Sequence, residues 1–169
     1  LIYGMGAKKL GRELRISLKE AQEFMASYFE KFEALAAFYE SVAVAAREQG
    51  YVTTMSGRRR LIPDIASGNT QLASQARRQA INTVVQGSAA DIIKLAMLKA
   101  HASEELKDLH ADLILQIHDE LVLEAPPATA KQAGLCLAAL MAEATPDGDP
   151  LLVPLTVDWG VGRNWGEAH

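Results

Sequence analysis

The chain has 169 residues, 49% hydrophobic and 22% charged, the size and composition of a globular domain able to bury a core. It holds no run of about 18 apolar residues and no basic stretch leading into an apolar one, so the sequence offers neither a helical membrane span nor an export signal. Cys136, the single cysteine, excludes an internal disulfide and a thiolate metal cluster, and reads as a core residue beside Leu135 and Leu137.

In chain order, Leu1 to Gly6 begin in mid-pattern without a helix start signal, as though cut from a longer chain. Ser17 with Glu20 forms an S-x-x-E capping box, and Phe24, Tyr28, Phe29, Phe32, Leu35 and Tyr39 follow at helical spacing. One long amphipathic helix is predicted, running toward Gly50 as its terminating residue. Tyr51 to Met55 then reads as a short strand, Ser56-Gly57 as a turn, and Pro63 with Gly68 as loop.

Helical spacing resumes from about Thr70 to Ala100, and Gly87 is predicted to divide it into two segments. Ser88 would cap the second segment, and Asp91 would complement its dipole. The net charge of −4 conceals a local excess in this part of the chain. Residues 56–90 hold Arg58, Arg59, Arg60, Arg77 and Arg78 against Asp64 alone, a charge of +4 that leaves −8 elsewhere. A solvated charged face is one reading; the exclusive use of Arg, a planar bidentate partner for phosphate, favours a polyanion.

Leu113 to Ile117 and Leu121 to Leu123 are short apolar runs on either side of His118-Asp119-Glu120, and predict a hairpin over 112–125. Ala128 to Ala144 predicts a helix, and Val153, Leu155, Val157 and Trp159 alternate as a last strand, with Pro154 at a sheet edge. A tight turn ordinarily favours Asn-Gly or Asp-Gly, so three titratable residues there suggest a task beyond turning. Carboxylates at a rigid strand end suit a hard divalent cation; an exposed acidic turn accounts for the triplet equally well on its own.

Three stretches together resemble family A DNA polymerases of the DNA polymerase I type. Gly57-Arg58-Arg59-Arg60 through Pro63-Asp64-Ile65 is similar to that family's G-R-R-x-x-x-P-D-I stretch. Arg78-Gln79-Ala80-Ile81-Asn82 followed by Gln86-Gly87-Ser88-Ala89-Ala90-Asp91 matches its R-x-A-x-N-x-x-x-Q-G-x-A-A-D segment, and Gln116 to Val122 its motif C. Tyr3-Gly4-Met5-Gly6 resembles the end of the fingers helix, and Asn164-Trp165 lies near where the family's chains end. A departure is Arg77, where the family commonly has Glu.

The resemblance implies an α+β fold, with residues 1–69 as the remainder of the fingers and 70–169 as the palm portion carrying the antiparallel motif C hairpin. It implies that Asp119 is a ligand of a two-ion magnesium site, that Glu120 supports that site, and that His118 approaches the primer terminus. Arg58 and Arg59 would hold backbone phosphate, while Arg78, Asn82 and Gln86, four residues apart, would reach along the minor groove. Their donors meet purine N3 and pyrimidine O2, acceptors common to the base pairs, so pair shape is tested without reading sequence. Tyr3 would close the nucleotide pocket.

Implied partners are primer–template DNA, a deoxynucleoside triphosphate and the rest of a parent polymerase, in a cytoplasmic, nucleoid-associated setting. The family's D-Y-S-x-I-E-L-R-like segment, which supplies the other metal-binding aspartate, does not occur in this sequence, nor do the fingers residues that hold the triphosphate. The chain alone is therefore expected to be inactive. The alternatives are a non-catalytic nucleic-acid-binding module and a structural domain with an acidic turn; the Gln86-Gly87 segment argues against a single-subunit RNA polymerase.

Overall fold

The computed structural model describes residues 5–168, and the chain divides into two compact units, Leu1–Gly87 and Ser88–His169. In the first, helix α1 spans Ala7–Leu14, α2 Leu18–Lys31 and α3 Glu33–Gln49. The capping box forms as the sequence requires: Ser17 Oγ accepts from Glu20 N at 3.2 Å, and Glu20 Oε2 accepts from Ser17 N at 2.8 Å. Gly50 ends α3 at φ 76°, a conformation that costs glycine little.

The single helix predicted from Ser17 toward Gly50 is instead two, because Phe32 leaves helical geometry at φ −115° and ψ 60°. No glycine or proline marks this break. Its reward is tertiary: Phe29 on α2 meets Tyr39 on α3 edge-on, with ring centroids 6.0 Å apart. Strand β1, Tyr51–Thr53, pairs antiparallel with β2, Arg59–Leu61, around a turn in which Gly57 takes φ 74°. A 3-10 helix, Pro63–Ala66, follows with Pro63 in its first turn. Val42, Ala46, Val52, Ile62, Ala80 and Ile81 are among the residues that close one core.

Helix α4 runs without interruption from Thr70 to Ala102, its amino terminus capped by Asn69, whose Oδ1 accepts from Gln71 N at 2.9 Å. The division predicted at Gly87 does not occur. Ser88 and Asp91 are therefore interior helical residues, buried to 5% and 7% exposure, and neither caps a helix terminus. Glycine inside a helix costs about 1 kcal/mol relative to alanine. Here close packing requires it, because a Cβ on Gly87 would lie 2.7 Å from Thr54 Cγ2.

In the second unit α5 spans Glu104–Asp108, β3 Asp112–Ile117, β4 Glu120–Glu124, α6 Ala130–Ala142 and α7 Trp165–Ala168, with a second 3-10 turn at Pro146–Gly148. Ala100, Leu106, Leu109, Ala133 and Leu137 form its core, with Leu121 and Leu123 packed against it. The predicted hairpin is present, with Ile117 opposite Glu120 and a bulge between Leu113 and Leu115. The last strand predicted over 153–159 is not formed: those residues are irregular. Alternation alone does not make a strand, which needs a neighbouring ladder for its N–H and C=O groups, and among the described residues none pairs with this segment. No described helix is long and apolar enough to cross a membrane.

Ser17→Ala should lower the unfolding free energy by about 1 kcal/mol at neutral pH, as read by chemical denaturation. Hydrogen bonds from the Ser17 side chain and backbone hold the Glu20 carboxyl below its ordinary value of 4.5. A depressed carboxyl stabilises the fold above its unfolded pKa, so the contribution should vanish as pH falls through the lower folded value.

Candidate nucleic-acid interface and metal-binding turn

Arg78, Asn82 and Gln86 lie on one stripe of α4, where a spacing of four returns the chain to nearly the same face. Arg78 and Gln86 are exposed, and Arg78 Nη1 donates to Ser74 Oγ at 2.9 Å, one turn back. Asn82 is half-buried, and its Oδ1 is buried with no hydrogen-bond partner among the described residues. An oxygen so placed costs about 1–3 kcal/mol, so stability does not account for Asn82 at this position.

The remaining arginines take three different roles. Arg58 Nη2 donates to the carbonyl of Gly87 at 3.1 Å, and Arg60 Nη1 donates to Thr83 Oγ1 at 3.1 Å. Arg59 lies across the Tyr51 ring, its guanidinium carbon 4.9 Å from the centroid, an arrangement that orients the cation while leaving it exposed. Arg77, the departure from the family pattern, donates to Glu40 Oε2 at 2.7 Å and so ties α4 to α3. Its charge is largely spoken for. Sequence reasoning counted Arg60 only within the basic cluster and did not name Thr83. Had β2 been recognised, its two-residue period would have placed Arg59 and Arg60 on opposite faces.

In the second unit His118 and Asp119 form the two-residue connection between β3 and β4, and both are exposed; Glu120, the first residue of β4, is half-buried. His118 has φ 51°, in the left-handed region where a non-glycine residue costs about 1–2 kcal/mol. Gln116 Nε2 donates to the His118 carbonyl at 2.5 Å and braces the turn. A strained residue in a tight turn, where Asn-Gly would form without cost, points to selection for the side chains displayed. Tyr3 lies outside the described residues.

Asp119 and Glu120 together offer hard carboxylate oxygens, of which a magnesium ion commonly takes one or two, completing its octahedron with water and phosphate. Among the described residues no group of three or more His, Cys, Asp or Glu converges on one point. Two carboxylates at one turn are compatible with part of such a donor set and do not by themselves complete one.

Asn82→Leu removes the orphaned oxygen while keeping the side-chain size. It should leave the denaturation midpoint unchanged or raise it slightly. A loss of more than about 1 kcal/mol of stability would mean that the amide has a structural partner.

Residues 1–167 match the family model described as DNA polymerase family A. The chain is 46% identical over 168 residues to a thermostable DNA polymerase I of Thermus filiformis, and 44% identical over 168 residues to a DNA polymerase I of Bacillus caldotenax. Each alignment covers 99% of this chain and 19% of the relative, so the chain spans about a fifth of the curated proteins it matches. Among solved structures, the polymerase domain of Pol1 from M. smegmatis, in complex with DNA primer–template and dNTP, superposes with a TM-score of 0.89 at 38% identity, covering 99% of this chain and 29% of that one. The motif stretches, the α+β fold and a family match along nearly the whole sequence lead to one assignment: the chain belongs to DNA polymerase family A.

Proposed function

We propose that this chain is the duplex-gripping and partly metal-binding portion of a template-directed DNA polymerase. Residues 1–69 would serve as the remainder of the fingers and 70–169 as the palm portion. The observation that carries the proposal is the likeness, over 99% of the chain, to a polymerase domain solved with primer–template and dNTP.

In this reading the primer 3′-hydroxyl oxygen attacks the α-phosphorus of the incoming nucleotide, a P–O bond forms, and pyrophosphate leaves. Bound magnesium would supply acidification of that hydroxyl and neutralisation of the triphosphate charge. Asp119 would be the ligand this chain contributes, held at the hairpin tip where solvent and phosphate can reach it. Glu120, anchored in β4, would keep the turn acidic and the coordination geometry fixed. His118 would direct its imidazole at the primer end, and Tyr3 would close over the nascent pair.

On α4, Arg78, Asn82 and Gln86 would lie along the minor groove and test the shape of newly formed pairs. Arg58 and Arg59 would meet backbone phosphate, so that binding weakens as salt rises. The chain alone would not catalyse: a metal pair needs more carboxylates than this turn provides.

In the intact protein, Asp119→Asn should reduce magnesium-dependent single-nucleotide incorporation by several orders of magnitude, since each 1.4 kcal/mol of lost transition-state stabilisation is about tenfold. Primer–template affinity and melting temperature should stay near those of the unsubstituted protein, because the side chain is exposed. Near-normal incorporation would remove Asp119 from the mechanism. Arg59→Ala should separately reduce the slope of log affinity against log salt by about one, whereas Arg78→Ala should weaken binding with little change in that slope.

A further inference from the structure

Two stripes run side by side along the first half of α4. Arg78, Asn82 and Gln86 form one; Gln79, Thr83 and Gly87, each one residue later, form the other, rotated by about 100°. The β1–β2 hairpin contacts the second stripe at Thr83 and Gly87, while Gln79 is exposed. Arg60 Nη1 donates to Thr83 Oγ1, and the same hydroxyl donates to the Gln79 carbonyl at 2.7 Å. One turn further on, Arg58 Nη2 donates to the Gly87 carbonyl, and Thr54 fills the space that a Cβ on Gly87 would need.

Thr54 is itself fixed within the hairpin, where its N donates to the Arg58 carbonyl at 3.0 Å and its Oγ1 accepts from Arg58 N at 3.2 Å. Thr83 is buried to 7% exposure, and its hydroxyl is committed at both ends. Both bonds to α4 come from charged guanidinium donors, the stronger class of hydrogen bond. A brace of this kind fixes both the rotation of α4 and its position along its own axis. A helix turned by a few tens of degrees would aim the neighbouring stripe away from whatever it reads.

We propose that the β1–β2 hairpin is a positioning device for the Arg78–Asn82–Gln86 stripe, with Arg60 and Thr83 as its positioning residues; this rests on the duplex-binding role proposed above. Arg60 then acts on DNA through α4 and not through phosphate, although it stands in the same arginine run as Arg59. Gly87 is required for hairpin docking, which accounts for a helix-weakening residue beside the reading stripe.

The test compares Arg60→Met, Thr83→Val, Thr83→Ser and the Arg60→Met/Thr83→Val double variant in the intact protein. Each is assayed for melting temperature and for affinity to a primer–template with a matched or a mismatched primer terminus over a range of salt. Arg60→Met and Thr83→Val should each weaken matched binding by about fivefold to tenfold, reduce the matched-to-mismatched ratio, and leave the salt slope unchanged. The double variant should be no worse than either single one, and Thr83→Ser, which keeps the hydroxyl, should behave as the unsubstituted protein. A salt slope lowered by about one in Arg60→Met, with Thr83→Val silent, would make Arg60 a phosphate ligand and overturn the proposal. Silence in both, with Arg78→Ala still weakening binding, would overturn the brace and leave the DNA-binding reading standing. No salt-dependent binding by the unsubstituted protein would overturn that reading itself.

Discussion

Close contact between a short hairpin and a long helix underlies the arrangement of the first unit. Gly87 has no Cβ because Thr54 occupies that space, and two arginines from β2 and the preceding turn bond to groups one helical turn apart. A three-residue ladder between β1 and β2 is marginal by itself, since isolated two-stranded hairpins are barely stable in water. Docking on α4 gives the hairpin its stability and gives the helix a defined rotation. A Cβ on Gly87 would force Thr54 or the backbone beside it to shift.

Two helix termini and one hairpin turn were legible in the sequence because their signals are local. The Ser17–Glu20 box, the left-handed Gly50 and the turn between Ile117 and Glu120 each follow from a few adjacent residues. Features set by distant contacts were not legible. The break at Phe32 accompanies an aromatic contact across α2 and α3 and leaves the hydrophobic spacing unchanged, so periodicity runs through it. Gly87 carries the composition of a helix end, yet its meaning is close approach, which only the position of Thr54 reveals. Strand β2 escaped notice because Arg59 and Arg60 lack the apolar alternation of a half-buried strand; all three of its residues are exposed. Residues 153–159 alternate without having a described partner to pair with.

The candidate site residues stood out in the sequence more than the residues that pack around them. Asp119 and His118 stand in a turn whose composition departs from what turning alone favours, and the positive φ of His118 shows that the departure has a conformational cost. Asn82 shows the same pattern in its buried, unpartnered oxygen. Both positions carry a local cost, one conformational and one of desolvation, that a different residue would avoid. Arg60 and Thr83 are bonded to each other, the arginine exposed and the threonine buried, so only the fold sets them apart from their neighbours.

The central claim is that one stripe of α4 faces duplex DNA while the adjacent stripe faces the hairpin. Its most direct measurement is photocrosslinking of the intact protein to primer–template DNA, with a photoreactive amino acid at Gln86 in one variant and at Gln79 in another. The account predicts an efficient crosslink from position 86, mapping to the duplex near the primer terminus, and little or none from position 79. Equal crosslinking from both positions, or a stronger signal from position 79, would contradict it.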